Sequence, residues 1–143
     1  ANRGPLTKLD IQARAAASNT RFYALDLPGL RSDKLMLRQV FENLISNALK
    51  FSARAAHPEI RITARELPDA WAIDVSDNGA GFAPEQQYLI FELFKTVHSR
   101  DQYPGSGIGL ALTRRLVEKL GGTVEARSAG PGQGAVFTVT LPR

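Results

Sequence analysis

The sequence predicts an α/β (α+β) fold: a two-layer sandwich with a mainly antiparallel mixed sheet and helices on one face. One long segment has apolar residues at three- and four-residue intervals, as an amphipathic helix does. Several short segments alternate apolar and polar residues, as strands with one buried face do. The 143 residues, 43% of them hydrophobic and 22% charged, suffice for a single domain with its own core, spanning 1–143.

The first half of the chain is expected to begin with a helix and a strand. Residues 6–17 are helix-prone and rich in alanine, and residues 22–27 resemble a strand. The clearest helix is expected at 32–51, with Ser32 or Asp33 as its cap. Its apolar face comprises Leu37, Val40, Phe41, Leu44, Ile45 and Ala48.

The second half of the chain is expected to supply most of the sheet. Residues 60–63 and 71–76 alternate in hydrophobicity, and we expect these two strands to pair. The glycine-rich segment 130–134 is typical of a hairpin loop. The other predicted elements are a short helix at 84–94, a helix at 107–120, and strands at 123–127 and 135–141. Helices packed on one side of the sheet suit this mixture.

Composition excludes several classes of protein. Without cysteine there can be no disulfide and no cysteine-ligated zinc, and two histidines are too few for a typical zinc site. The net charge of +4 suits an anionic ligand, but basic residues are scattered, so we expect no nucleic-acid partner. No apolar run approaches the ~20 residues that cross a bilayer. We expect a soluble, cytoplasmic domain that does not contact the membrane, whether or not the longer protein to which it belongs is membrane-anchored.

The edge of the long predicted helix carries the first candidate site. At 100° per residue, Asn43, Asn47 and Lys50 share one stripe beside the apolar face, whereas Glu42 and Ser46 point further toward solvent. An amide oxygen together with triphosphate oxygens can hold magnesium, and an ammonium group can contact phosphates. The alternative is that both asparagines only satisfy nearby backbone groups.

The segment after the third predicted strand carries the second candidate site. The carboxylate of Asp77 can accept a hydrogen bond from the exocyclic amine of adenine, which guanine lacks at that position. Gly79 and Gly81 allow positive φ and close approach of the backbone to a flat base. The alternative is an ordinary turn, because Asn-Gly after a strand is a common hairpin signal.

Two further segments suggest a lid and a phosphate loop. Phe91 and Phe94 have helical spacing and are typical core residues, whereas the polar stretch 95–104 is typical of a movable lid. The alternating glycines in 105–109 can direct backbone N–H groups at phosphates before a helix. A P-loop is disfavoured, since Leu110 stands where its lysine would be, and no strand precedes the loop as in a Rossmann unit.

Together, these segments resemble the conserved boxes of a known family. Residues 43–51, 77–81, 91–94 and 105–109 are similar to the N, G1, F and G2 boxes in the ATP-binding catalytic domain of sensor histidine kinases. That domain belongs to the ATPase superfamily shared with type II topoisomerases, mismatch-repair ATPases and heat-shock chaperones. The resemblance implies its Bergerat ATP-binding fold. The lid residues 98–104 are similar to those of phytochrome-type sensor kinases.

The resemblance also implies the ligands and their contacts. ATP and Mg2+ would be the cofactors, with Asn47 as the metal ligand, Asn43 and Lys50 as catalytic contacts to phosphates, and Asp77 as the reader of adenine. The full set of implied nucleotide-binding residues is Asn43, Asn47, Lys50, Asp77, Gly79, Gly81, Phe94, His98, Arg100, Gly105, Gly107, Ile108, Gly109 and Leu110.

By the same resemblance, the chain donates the γ-phosphoryl group of ATP to a histidine on a separate dimerisation domain, for relay to a response regulator receiver domain. Neither His57 nor His98 lies in the acceptor motif, so the dimerisation domain is expected to be missing from this chain. Hydrolytic relatives have Glu at the place of Asn43, and an amide cannot accept a proton at neutral pH.

Three alternatives remain open at this point. The chain could be an ATPase whose lid drives a clamp, a module that binds nucleotide or nothing without catalysis, or a serine kinase acting on an anti-sigma-factor antagonist. Release of free phosphate would indicate the ATPase. Nucleotide titration would identify the non-catalytic module, and an acid-stable product would indicate the serine kinase.

Overall fold

The described residues form a five-stranded antiparallel sheet with two α-helices packed on it. A computed structural model describes residues 8–11, 30, 33–92 and 109–143, and the elements below lie in these ranges. The strands are β1 (Lys8–Ile11), β2 (Ile60–Glu66), β3 (Ala70–Asp77), β4 (Thr123–Arg127) and β5 (Ala135–Pro142). The helices are α1 (Lys34–Ser52) and α2 (Gly109–Lys119). The strand order is β1-β2-β3-β5-β4.

Every pairing in this sheet is antiparallel. The predicted pairing of the segments at 60–63 and 71–76 is confirmed, with Ile62 opposite Val75. The last two strands form the predicted hairpin around 130–134, with Ala126 opposite Phe137. The antiparallel two-layer architecture expected from the sequence is therefore confirmed.

The first element is a strand, so the prediction of a helix over 6–17 was wrong where the structure describes it. Residues Lys8–Ile11 pair with β2, where Leu9 lies opposite Ile62. The alanine-rich part of the segment begins after Ile11. An open sheet edge offers unpaired backbone groups, and pairing with it overrides weak local helix propensity. The predicted strand at 22–27 lies outside the described residues.

Helix α1 follows the sequence closely because its start and its buried face are both encoded locally. Asp33 is the N-cap, and its Oδ1 accepts a hydrogen bond from Met36 N at 2.9 Å. The helix buries the predicted apolar stripe against the sheet. Buried members of that stripe are Leu37, Val40, Phe41, Leu44, Ile45 and Ala48.

The predicted helix at 84–94 is instead two short 3₁₀ turns, Pro84–Gln86 and Leu89–Phe91. Ile90 and Phe91, in the second of these turns, are both buried. Phe91 packs edge to face on Phe137, with ring centroids 6.0 Å apart, so its predicted core position is confirmed. Within the described residues, no helix combines the length and apolarity needed to cross a membrane.

Candidate nucleotide-binding site

The edge of α1 presents the polar stripe that the helical period predicts. Asn43, Asn47 and Lys50 are half-buried, whereas Glu42 and Ser46 are exposed. All five lie on consecutive turns of one helix whose opposite side is core. The two amides and the ammonium group therefore lie at the border between the core and solvent, where a bound ligand would be partly shielded from water.

Asn43 has an unused hydrogen-bond donor. Its Oδ1 accepts from Gln39 Nε2 at 2.8 Å, so the amide oxygen has a partner one turn earlier. Its Nδ2 is buried, and no group in the described ranges accepts a hydrogen bond from it. A buried N–H group without an acceptor costs free energy. This amide nitrogen is therefore suited to an acceptor from outside the chain, such as a phosphate oxygen.

Asn47 and Lys50 are similarly open to a ligand. Neither side chain has a hydrogen bond or ion pair with another described residue. Partial burial lowers the pKa of Lys50, because removing water disfavours the charged form. Its Nζ lies 4.9 Å from the centre of the Phe51 ring, which partly compensates. An anion beside Lys50 would restore stabilisation of the charged ammonium group.

Asp77 lies on the side of the sheet that the helices cover. It ends β3 in alternation with the buried Trp71, Ile73 and Val75, and it pairs with Ala135 on β5. Burial raises the pKa of its carboxyl from 3.8 to about 6, although hydrogen bonds from the backbone of Gly79 and Ala135 oppose that rise. The Gly79 N–H donates to Asp77 Oδ1 at 2.9 Å.

This raised pKa predicts a cost to stability from the ionised carboxylate. The pKa of the Asp77 carboxyl is higher in the folded state than in the unfolded state. The stability that the protonated carboxyl contributes to the fold is therefore fully present below pH 3.8 and is lost as pH rises through about 6. The loss amounts to on the order of 3 kcal/mol. We therefore expect Asp77→Asn, which is always neutral, to gain stability relative to wild type as pH rises.

Thermal unfolding at pH 4 and pH 7.5 measures this effect. The melting temperature of Asp77→Asn minus that of wild type should increase by about 5–10 °C between these two pH values. A difference that is the same at both values would show that Asp77 is not the group whose ionisation opposes folding. Asp69→Asn is the control, because that carboxylate is exposed and lies just before the start of β3.

The loop after Asp77 packs directly on the C-terminal end of α1. Ala80 N donates to Phe51 O at 3.0 Å. A Cβ added at Gly79 would lie 2.2 Å from Phe51 O and 2.8 Å from Ser52 Cα. Glycine is therefore required at position 79 because any side chain would collide with the helix. The sequence suggested that Gly79 adopts a positive φ, and in the structure it does not. This contact brings Asp77 and Lys50 to the same end of α1.

Gly81 has the positive φ that was predicted, at 60°. It also packs closely, since a Cβ there would lie 2.7 Å from Ser128 Oγ. The 79–82 loop is therefore held between α1 on one side and the β4–β5 loop on the other. β3 pairs with β2 and β5 rather than with a strand that directly follows residues 77–81, so this segment does not close a β-hairpin.

Two residues of this region had no role in the sequence interpretation. Asn78 Oδ1 accepts from Glu59 N at 2.9 Å, and its Nδ2 donates to His57 O at 2.7 Å, which fixes the loop before β2. Ser128 accepts a hydrogen bond from Phe82 N at 3.1 Å. The only sequence signal was a polar residue beside a glycine-rich turn, which is common in loops.

The phosphate-binding predictions are described only in part. Gly109 begins α2 and is exposed, and no atom of the described residues lies within 4 Å of a Cβ built there. Leu110 is half-buried and packs against the core. The other predicted contacts lie outside the described residues, as does the lid at 95–104. They are Phe94, His98, Arg100, Gly105, Gly107 and Ile108.

The polar edge of α1, the loop after Asp77 and the start of α2 at Gly109 all lie within a segment that matches a known family. Residues 32–143 match the model of the histidine kinase-, DNA gyrase B- and HSP90-like ATPase family. The chain belongs to this ATPase family. The match covers the described elements from α1 to β5, so the resemblance seen in the sequence is confirmed.

Curated relatives of the chain include a phytochrome-like protein and a phytochrome. The chain is 35% identical over 133 residues to the phytochrome-like protein Cph1 of Synechocystis sp., covering 93% of this chain and 18% of that protein. It is 37% identical over 133 residues to cyanobacterial phytochrome A of Nostoc sp., covering 93% of this chain and 17% of that protein. The chain therefore spans less than a fifth of the length of either relative.

Solved structures with the same fold include a sensor histidine kinase. The mycobacterial sensor histidine kinase MprB is 28% identical with a TM-score of 0.68, covering 77% of this chain and 72% of that one. Full-length ShkA, solved in complex with AMPPNP, is 34% identical with a TM-score of 0.68, covering 81% of this chain and 23% of that one. The structure is thus that of a histidine kinase ATP-binding domain.

Proposed function

We propose that residues 1–143 form one catalytic domain that binds MgATP and transfers its γ-phosphoryl group to a histidine of a separate dimerisation domain. A response regulator receiver domain would take the phosphoryl group next. The observation that carries this proposal is the buried Nδ2 of Asn43, which has no acceptor among the described residues and lies on the same helix edge as Asn47 and Lys50. The likeness to sensor proteins and kinases supports it.

The described residues fit a triphosphate. Lys50, desolvated and without a described anionic partner, would contact phosphate oxygens, and Asn43 Nδ2 would donate a hydrogen bond to one. Gly109 would allow close approach of a phosphate to the start of α2, because no atom of the described residues lies within 4 Å of a Cβ built there. The lid and the remaining glycines would complete the contacts.

The same residues fit magnesium. Among the described residues, no three His, Asp or Glu side chains form a metal cluster. Magnesium commonly takes few protein ligands, and the Asn47 amide oxygen, without a described partner, is a suitable one. When bound, the ion supplies charge neutralisation on the phosphates.

The adenine base would lie near Asp77. Its ionised carboxylate would accept a hydrogen bond from the exocyclic amine, and this bond would offset part of the cost of burying the charge. Because Gly79 packs on the end of α1, the adenine and phosphate contacts would be held at a fixed spacing. Substrate positioning of this kind is a main source of catalysis in phosphoryl transfer.

Transfer rather than hydrolysis is expected because no described general base faces this edge. Asn43 is an amide, and the neighbouring Glu42 is exposed on another side of the helix. The accepting imidazole nitrogen would form the bond to phosphorus as the bond to ADP breaks, and ADP would leave with the electron pair. The proposed compartment is the cytoplasm, where ATP is available.

The test mixes this chain with the dimerisation domain of its parent protein and ATP labelled at the γ-phosphate. We expect acid-labile label on that domain and little free phosphate in its absence. Free phosphate released by the chain alone would indicate a hydrolytic ATPase instead. Acid-stable label would indicate a serine kinase, and an absence of nucleotide binding in calorimetry would indicate a non-catalytic module.

A further inference from the structure

The β4–β5 loop, residues 128–134, supports the loop that follows Asp77. None of the residues assigned to the nucleotide lies in this β4–β5 loop. Gly132 N donates to Ala80 O at 2.7 Å, and Gly134 N donates to Gly79 O at 3.0 Å. These bonds join the backbones of two loops that are distant in sequence. Each loop therefore limits where the other can lie.

Ser128 is at the centre of this contact. Its Oγ accepts hydrogen bonds from Phe82 N at 3.1 Å and Gly130 N at 3.2 Å. Its proton has two nearby acceptors, Gly134 O at 2.6 Å and Gly130 O at 3.1 Å, and the shorter contact is favoured. One donated and two accepted bonds use the full capacity of a hydroxyl group.

A continuous series of hydrogen bonds leads from Ser128 to the Asp77 carboxylate. Ser128 Oγ donates to Gly134 O, and the backbone N–H of Gly134 donates to Gly79 O at 3.0 Å. The N–H of Gly79 in turn donates to Asp77 Oδ1 at 2.9 Å. The carbonyl and the N–H of Gly79 belong to the two peptide units that meet at its Cα, so the Ser128 hydroxyl and one oxygen of Asp77 are linked through the backbone of this residue.

We propose that Ser128 is a positioning residue for adenine selectivity, acting through the 79–82 loop on the Asp77 carboxylate without touching the nucleotide. This inference rests on the proposed function, because it requires Asp77 to accept from the adenine amine. Removing the hydroxyl would leave Phe82 N and Gly130 N without their acceptor in a partly buried region. The loop would relax, and the distance-sensitive hydrogen bond to adenine would weaken.

A purely structural role predicts a different result. If Ser128 only stabilised the hairpin, its loss would lower the melting temperature and would weaken the binding of adenine and guanine nucleotides equally. If Ser128 instead positions Asp77, its loss would lower the preference for adenine over guanine, because guanine has no amine at the position read by Asp77. The ratio of ADP affinity to GDP affinity is thus the decisive measurement.

The experiment titrates MgADP and MgGDP into the 143-residue chain by calorimetry, with wild type, Ser128→Ala, Ser128→Thr and Thr123→Ala. We expect Ser128→Ala to reduce the ADP-to-GDP affinity ratio about tenfold, the scale of a lost hydrogen-bond network. Ser128→Thr keeps the hydroxyl and should retain the ratio. Thr123→Ala removes an exposed hydroxyl at the other end of β4 and should also retain it.

An unchanged ratio in folded Ser128→Ala, with ADP bound normally by wild type, would overturn this inference and leave the proposed function intact. Failure of wild type to bind ADP would overturn both. Should Ser128→Ala not fold, Ser128→Cys weakens the same hydrogen bonds without deleting the side-chain atom and should reduce the ratio partially. A wild-type ratio in Ser128→Cys would then contradict the proposal.

Discussion

Replacing Asn47 by alanine is expected to reduce phosphoryl transfer by about a hundredfold or more, as loss of a metal ligand does. The fold should not suffer, because the Asn47 amide has no hydrogen bond to another described residue and alanine is the better helix former. The free energy of unfolding should stay equal or rise by a few tenths of a kcal/mol. Activity and stability would then change independently.

Two measurements separate the metal role of Asn47 from other roles. Labelled transfer gives the rate, and nucleotide titration with and without magnesium gives the metal dependence of binding. Magnesium should strengthen ATP binding to wild type but not to Asn47→Ala. The control is Ser46→Ala, since Ser46 is exposed on the adjacent side of α1. Wild-type transfer by Asn47→Ala would remove the assignment of this residue as a metal ligand.

Substituting alanine for Gly79 should destabilise the domain by about 3 kcal/mol, the upper range for inserting a methyl group into a packed region. The new Cβ would lie 2.2 Å from Phe51 O and 2.5 Å from Phe51 C. Both are backbone atoms within a helix that is anchored by its buried face, so neither can move freely. The hydrogen bond from Ala80 N to Phe51 O would be lost as the loop is displaced.

Chemical denaturation of Gly79→Ala and Gly109→Ala checks this prediction. A Cβ at Gly109 meets no atom of the described residues within 4 Å, so Gly109→Ala should leave the free energy of unfolding unchanged or slightly higher. Calorimetry should show weakened nucleotide binding by any folded Gly79→Ala, because the loop beside Asp77 has moved. Equal stability of Gly79→Ala and wild type would show that the loop does not pack on α1 as described.

Residues within one helix or one strand could be assigned from the sequence because their neighbours are set by a short repeat. The 3.6-residue period places Asn43, Asn47 and Lys50 on one edge, and the half-buried state of all three agrees with it. The two-residue period likewise places Asp77 on the same side as Val75. The nucleotide roles of these residues stay predictions.

Contacts between distant segments could not be assigned in the same way. The strand at Lys8–Ile11 depends on the free edge of β2, and local propensity favoured a helix instead. The need for glycine at position 79 arises from Phe51 on another element, although the sequence suggested a turn with positive φ. Such requirements come from the partner rather than from the segment itself.

The sequence by itself determined the amphipathic faces, the order of the ligand-binding segments and the chemistry of the polar side chains, because each depends on residue type and near neighbours. Only the tertiary structure decided that the loop after Asp77 is held between the end of α1 and Ser128. The physical reason is that these contacts are mostly backbone hydrogen bonds across long separations. Every residue but proline carries the same donor and acceptor, so residue type does not reveal the pairing.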